Sequence, residues 1–167
     1  MCNSFNKNEL KLFSSVTSVS LTRIFAQYDV NKKQNEWMKD LKFSTINNPI
    51  KQIIPIRPKY GLFQISYSDW YFADYWGKLK ENAINNLLIK FLSDAFQYRN
   101  IDKPLYIKKY YWKNAIHFWK PSIDINKYYE QIMNLRKNIH IVGESFSKNQ
   151  GWCEGAIQTT IELMDQL

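Results

Sequence analysis

Two glycines four residues apart, Gly151 and Gly155, enclose Trp152, Cys153 and Glu154 and follow a Gly143-Glu144 pair across the polar loop Ser145 to Gln150. Ahead of that pair, Asn138-Ile139-His140-Ile141-Val142 reads as a short buried strand, and Ala156 and Ile157 lead into a helix running to Leu167. Strand, glycine, polar loop, glycine and helix is an order that presents backbone N–H groups to a ligand. A helix N-terminus carries unsatisfied donors and about half a positive charge, so it attracts an anion or a polarised carbonyl. Gly151 and Gly155, lacking Cβ, would let a flat ring or a phosphate come close. Trp152 offers an aromatic wall. Glu154 favours the helix dipole but repels a phosphate on the axis, which points to a ring carbonyl rather than a pyrophosphate. The same spacing also serves close packing of a helix on a sheet, and the residues alone leave both uses open.

Other chemistry-bearing residues are scattered. His117, beside Phe118 and Trp119, suits either a substrate entrance or a hydrogen-bonded structural role. Asp69 and Glu144 supply carboxylates, but their spacing defines no acid and base pair. Trp112 and Trp119 read as packed core rather than as an aromatic cage, because aromatic residues at sheet ends commonly supply burial. Cys2 and Cys153 sit at opposite ends of the chain and form no metal-ligand spacing with His117 and His140, so no metal is expected and a reducing compartment is. Cys153 by itself reads as a buried thiol.

These residues must be positioned by the elements upstream. Val19 to Tyr28 has the β-branched and aromatic content of a strand, and Asp29 to Lys33 reads as a turn. Gln52 to Ile56 is a short apolar strand whose Pro55 marks an edge or a bulge. Tyr60-Gly61 is a turn, and Leu62 to Tyr67 begins another strand. Three strands so close together suggest an antiparallel meander. From Lys78 the period changes: Leu79, Ala83, Leu87, Leu88, Phe91, Leu92 and Ala95 recur at three and four, as in an amphipathic helix. Leu105 to Trp112 is again strand-like, regularity breaks at Trp119 to Pro121, and Ile125 to Leu135 fits a short helix.

With 167 residues, the sequence suffices for one domain with a real core and falls short of a large two-domain protein. A hydrophobic share of 45% with 16% aromatics excludes a disordered chain. The net charge of +8 raises the question of nucleic acid, but the lysines are spread singly among acids, and only Lys32-Lys33 and Lys108-Lys109 stand in pairs, so nucleic-acid binding ranks low. The polar N-terminus is unlike a secretory signal and no apolar run is long enough to span a bilayer, from which a cytoplasmic or intracellular protein is expected.

The segment Ile139 to Met164 resembles the C-terminal signature of the flavin-containing amine oxidoreductases, the family of monoamine, polyamine and L-amino-acid oxidases. Its Val142, Gly143, Glu144, Gly151, Trp152, Cys153, Glu154, Gly155 and Ala156 fall where that pattern has Gly-Glu, a variable loop and Gly-aromatic-x-Glu-Gly-Ala. Upstream, Ser20 to Ala26, Ile53 to Ile56, Gln64 to Asp69 with Ala73 and Trp76, and Tyr111-Trp112 with His117 to Pro121 are similar to the substrate-domain half, with a leaning toward a viral branch. The resemblance implies an α+β fold: part of a mixed or antiparallel substrate-domain sheet with helices over residues 14–137, preceded by a flexible N-terminus (1–13) and followed by a strand, loop and helix of an FAD-binding domain (138–167). It implies non-covalent FAD, with Gly143 and Glu144 near the pyrophosphate and ribityl chain. Gly151, Trp152, Glu154, Gly155 and Ala156 would face the flavin ring. Trp152, Trp112 and His117 would line the amine site.

The pattern breaks in three places. The five glycines include no Gly-x-Gly-x-x-Gly turn, the usual holder of the dinucleotide. The family's lysine near flavin N5 falls upstream of the similar region, and Lys11 is too close to the first strand to take its role. Thr159 and Thr160 stand where the family has smaller residues. The expectation is therefore the C-terminal portion of an FAD-dependent amine oxidase, inactive alone, completed by a second chain or segment with the glycine-rich turn and then acting on a small amine. The alternative is a truncated, non-catalytic pseudoenzyme used as a structural or interaction module, whose exposed domain face would be apolar; in a virus it could be virion-associated.

Overall fold

A computed structural model describes residues 5–97 and 100–166, so Cys2 lies outside the described residues. The chain forms two compact units, one of Ser20–Lys113 and one of Met1–Val19 with Asn114–Leu167. The reading from sequence divides the chain instead at residues 13/14 and 137/138; by contacts, residues 138–167 are compact with residues 114–137 and the first nineteen.

The sheet has five strands in the order β2-β3-β4-β1-β5, with β1 at Val16–Gln27, β2 at Ser44–Thr45, β3 at Gln52–Arg57, β4 at Leu62–Asp69 and β5 at Tyr106–Trp119. Pairing of β1 with β4, β4 with β3 and β3 with β2 is antiparallel, as expected, but β1 joins the sheet beside β4 rather than beside β3, so the strands at residues 19–28, 52–56 and 62–67 do not follow one another as a simple meander. Pro55 lies beyond the reach of the two-residue β2, whose partners are Ile53 and Gln52, and the register slips between Pro55 and Arg57. A residue without an N–H is tolerated there because no ladder bond is lost. Gly61 turns the chain into β4 at φ 68°, and a Cβ on it would stand 2.0 Å from the Tyr28 carbonyl oxygen.

In the Ser20–Lys113 unit one face of the sheet is the core. Ile24 and Ala26 of β1, Tyr28 just after it, and Phe63 and Ile65 of β4 are buried with Ile84, Leu88 and Leu92 of α3 (Glu81–Phe96), which recur every four residues as a single helical stripe. Alternation sends Arg23, Phe25 and Gln27 to the opposite face, where each is half-buried.

Three elements depart from expectation. Residues 70–77 form a helix, α2 (Trp70–Gly77), before the expected change of period. Its N-cap Asp69 makes no side-chain capping bond, and the helix is held by its neighbours. Ser20 Oγ and Thr22 Oγ1 of β1 donate to the carbonyls of Trp70 and Ala73 at 2.9 and 2.8 Å. The Lys109 ammonium donates to the carbonyls of Trp76, Gly77 and Leu79 at 3.1, 2.9 and 2.8 Å, closing a helix C-terminus that would otherwise leave acceptors unmet. Desolvation lowers the pKa of Lys109.

The second departure is the strand expected over residues 138–142. Only an isolated bridge, Arg136 to Ile139, forms there, and Ile139 and Val142 are exposed. A strand exists through its neighbours, and among the described residues no other strand runs beside this segment.

In the second unit, Lys7–Phe13, inside the segment read as a flexible N-terminus, is helix α1; α4 spans Ile125–Met133 and α5 spans Cys153–Met164. Asn6 and Glu9 form a capping box at the start of α1. The Glu9 carboxylate also accepts from Arg136 Nε at 2.5 Å and Nη2 at 2.7 Å. Those bonds from Arg136, then that from the Asn6 N–H, hold the Glu9 carboxyl below the usual carboxylate range. A carboxyl lowered on folding stabilises the fold above its unfolded pKa, and that contribution disappears as pH falls through the folded value. Denaturant midpoints followed from about pH 5 to about pH 2 should therefore fall less steeply in Glu9→Gln than in the parent chain, and parallel curves would exclude the effect.

Candidate functional site

The C-terminal segment is organised around Glu144, which ends the unpaired stretch after Val142. Its Oε1 accepts from the backbone N–H of His117 at 3.1 Å and of Gly151 at 2.7 Å, while its Oε2 lies 2.9 Å from His117 Nδ1. Ser145 Oγ is 3.1 Å from the same ring nitrogen. Gln150 continues the network: its Oε1 accepts from Trp119 N at 2.7 Å and its Nε2 donates to Ser145 O at 2.6 Å. Trp119 Nε1 donates to Ser147 O at 2.9 Å. The carboxylate thus pins the 144–151 loop to the end of β5. Charge-assisted bonds from fixed N–H groups suit a positional role, and His117 is a hydrogen-bonded partner of Glu144.

The glycines read as ligand-facing serve different needs. Gly143 adopts φ 131°, with nothing within 4 Å of where a Cβ would be, and its N–H donates to Thr159 Oγ1 at 2.9 Å. Gly151 adopts φ 87° and lies 3.6 Å, measured from its would-be Cβ, from Ile116 Cγ2. Gly155 is filled from inside the chain, since a Cβ there would meet Asn149 O at 2.1 Å and Ser147 Oγ at 2.2 Å. Of the two readings left open by the spacing, close packing of helix on loop accounts for Gly155.

Helix α5 has Trp152 as its N-cap in an extended conformation without a side-chain capping bond, so its first turn, Cys153 to Ala156, has no acceptor from a capping side chain. Trp152 is 63% exposed. Cys153, read as a buried thiol, is exposed, because it opens the helix on its solvent side. Thr159 is buried and donates to Ala156 O at 2.9 Å, so its bulk is absorbed in the bond to Gly143; Thr160 makes the same bond from the exposed side.

The inner edge of α5 is small or polar. Gly155 and Thr159 are buried, and Glu162 accepts from Tyr129 Oη of α4 at 2.5 Å and from Gln158 Nε2 at 2.9 Å. Burial, then the bond to Glu162, raises the Tyr129 phenol above its ordinary pKa, and the bond from Tyr129 lowers that of Glu162. The outer edge is apolar: Ile157, Ile161 and Met164, at helical spacing, are 58%, 53% and 70% exposed.

Trp112, the third residue expected at the amine site, belongs to the Ser20–Lys113 unit, where its ring stacks on Tyr110 at 5.9 Å and 15°. His117, Glu144 and Gly151 are brought together within their own unit. Ser145, Ser147 and Gln150 belong to the same cluster and were not singled out, since polar loop residues carry no periodicity; that Glu144 and Gln150 take the N–H groups of His117 and Trp119, two residues apart on β5, was invisible without the fold. A cleft of about 610 Å³ elsewhere, lined by Ser44 to Asn48, Phe91 and Asp94 to Phe96, contains none of the expected site residues. Among the described residues no helix is long and apolar enough to cross a membrane.

No protein-family profile matches the chain. An uncharacterized protein of Acanthamoeba polyphaga mimivirus is 29% identical over 123 residues, covering 59% of this chain and 23% of its own length. Cyclohexylamine oxidase from Brevibacterium oxydans IH-35A superposes with a TM-score of 0.67 at 12% identity, covering 97% of this chain and 38% of its own. The chain therefore spans well under half the length of either. Over almost all its residues it has the fold of part of an amine oxidase.

Proposed function

We propose that this chain is the C-terminal portion of an FAD-dependent amine oxidase, an oxidoreductase acting on CH–NH groups, whose dinucleotide-binding part is supplied from outside these 167 residues. The observation that carries the reading is the reversed amphipathicity of α5. A surface helix buries its apolar stripe, yet α5 buries Gly155 and Thr159 and exposes Ile157, Ile161 and Met164. Apolar area arranged this way is stabilised when a further layer covers it, at about 25 cal/mol per Å². A dinucleotide-binding sheet is the layer that the fold comparison supports.

The residues present fit one end of FAD. Trp152 and the uncapped N–H groups of Cys153 to Ala156 would hold the polar edge of the flavin ring, where negative charge grows on reduction. Gly143 would allow close approach from the open side. Glu144 would hold the loop rather than the cofactor, because its oxygens already accept from His117 and Gly151. The phosphate end has no holder among the glycines of this sequence. When bound, FAD supplies the acceptor for hydride from the carbon bearing the amine; Trp152 would orient that carbon and exclude water.

Gentle purification from the native source, with an absorption spectrum and mass identification of all co-purifying chains, tests this. The expected result is a flavin band near about 450 nm together with a glycine-rich turn, on a second chain or on a longer form of this one. The 167-residue chain alone should give no amine-dependent peroxide, and peroxide from it would overturn that part. A colourless single-chain preparation would favour the second reading, a non-catalytic interaction module, for which the self-contained Glu144 network speaks.

A further inference from the structure

We propose that the Ser20–Lys113 unit binds a phosphate, as the inorganic ion or as a monoester of a small molecule, in the pocket between Lys51 and the start of α2. That pocket, of about 210 Å³, is lined by Thr45, Lys51, Gln52, Tyr67, Ser68 and Asp69. There β4 ends and α2 begins, and the N-cap Asp69 gives the first turn no side-chain bond. N–H groups at a helix start attract an anion, but a helix start alone defines no site. Ser68 supplies the independent sign. It lies opposite Thr22 of β1, and by alternation Ser20, Thr22 and Ser66 share its face of the sheet. The other three hydroxyls are used within the chain: Ser20 and Thr22 donate to α2 carbonyls, and Ser66 Oγ donates to Ile50 O at 2.9 Å. Ser68 is 2% exposed, borders the pocket, and its Oγ has no hydrogen-bond partner. Buried polar groups in native proteins are nearly always satisfied, so this exception points to a partner from outside the chain.

Lys51 supplies the opposite charge. It is bridged to Tyr67 of β4, and its ammonium stands 4.5 Å from the centre of the Phe72 ring in the first turn of α2. Among the described residues no carboxylate pairs with it. Hydroxyl, ammonium and helix N–H groups thus come from strand, loop and helix, which suits a tetrahedral oxyanion with oxygens in several directions better than a flat one. The Asp69 carboxylate narrows the choice further. It repels a fully ionised anion, but it can accept a hydrogen bond from an anion that keeps a proton. Inorganic phosphate keeps one at neutral pH, and a phosphate monoester, whose second ionisation lies at about 6, keeps one on part of its population. Sulfate and phosphodiesters have none to offer, so the acid in the pocket selects against both, nucleic-acid backbone included.

The test titrates the folded full chain with inorganic phosphate, methyl phosphate, dimethyl phosphate and sulfate, at about pH 6.5 and at ionic strength held constant with sodium chloride, by calorimetry and thermal unfolding. Phosphate or methyl phosphate should bind saturably and raise the unfolding midpoint, and the tighter of the two tells the free ion from the ester. Sulfate and dimethyl phosphate should bind about tenfold more weakly. Ser68→Ala should weaken phosphate binding about tenfold without lowering the stability of the unliganded chain, since the lost hydroxyl has no partner there. Lys51→Gln should weaken it similarly, Lys51→Arg should keep most of it, and Lys11→Gln, on α1, should change nothing. Asp69→Asn should narrow the gap between phosphate and sulfate. The proposal is overturned if neither phosphate nor methyl phosphate binds saturably, if sulfate binds as tightly, if Ser68→Ala destabilises the unliganded chain, if folded Ser68→Ala or Lys51→Gln binds as the parent does, or if Asp69→Asn leaves the gap unchanged. No flavin or amine enters this measurement, so its failure leaves the oxidase reading standing, and a colourless preparation leaves the phosphate site standing.

Discussion

Alanine at Gly155 is expected to destabilise the unit that holds α5 by about 3 kcal/mol, against the usual sign of a glycine-to-alanine change inside a helix. Helix propensity alone would stabilise by about 1 kcal/mol. The new Cβ, however, would lie 2.1 Å from the Asn149 carbonyl oxygen and 2.2 Å from Ser147 Oγ. The first of these is backbone, fixed by the loop that Glu144 ties to His117 and Gly151, so it cannot swing aside as a flexible side chain would. Either α5 moves outward, breaking the Tyr129 to Glu162 and Gly143 to Thr159 bonds, or the loop gives way. Urea denaturation measures the loss, and amide exchange over residues 153–164 should accelerate with it. Unchanged or improved stability would show that the helix and loop are not in contact as described. Gly143→Ala is the informative companion: it meets no atom within 4 Å, and its cost is the conformational strain of φ 131° alone, about 1–2 kcal/mol.

Most of the sheet and its covering helix were legible from residue type and period. β1, β3 and β4 carry the β-branched and aromatic residues of strands, α3 repeats at four, and Pro55 marks where the register slips. Helix α2 was not legible. Its aromatic sequence has weak helix propensity, its N-cap is silent, and what fixes it comes from Ser20, Thr22 and Lys109, which are remote in sequence. The strand expected over residues 138–142 failed for the converse reason: an apolar run proposes a strand, but only a neighbouring strand makes one. At the site, residue types and glycine positions were readable. That Glu144 reaches back 27 residues to His117 was not, nor that Gly155 is needed for its own loop.

Two tryptophans separate what the fold needs from what a ligand would need. Trp76 on α2 is fully buried, donates its Nε1 to Pro49 O at 2.7 Å and meets Phe91 of α3 edge-on at 5.9 Å. Its replacement by alanine removes a large apolar surface, leaves a cavity between sheet and helices, and strands the Pro49 carbonyl; the expected cost is about 4 kcal/mol. In a domain whose total stability is about 5–15 kcal/mol, that is enough to populate the unfolded state appreciably on mild heating. Trp152, at 63% exposure and with no capping bond, should tolerate alanine within about 0.5 kcal/mol. Chemical denaturation of the pair decides the matter. If Trp152→Ala proves as costly as Trp76→Ala, the Trp152 ring is packed within the chain and is not the wall of a flavin or amine site. If it costs nothing, any flavin or amine binding that it abolishes in the completed protein is lost at the ligand itself, because the fold beneath has not changed.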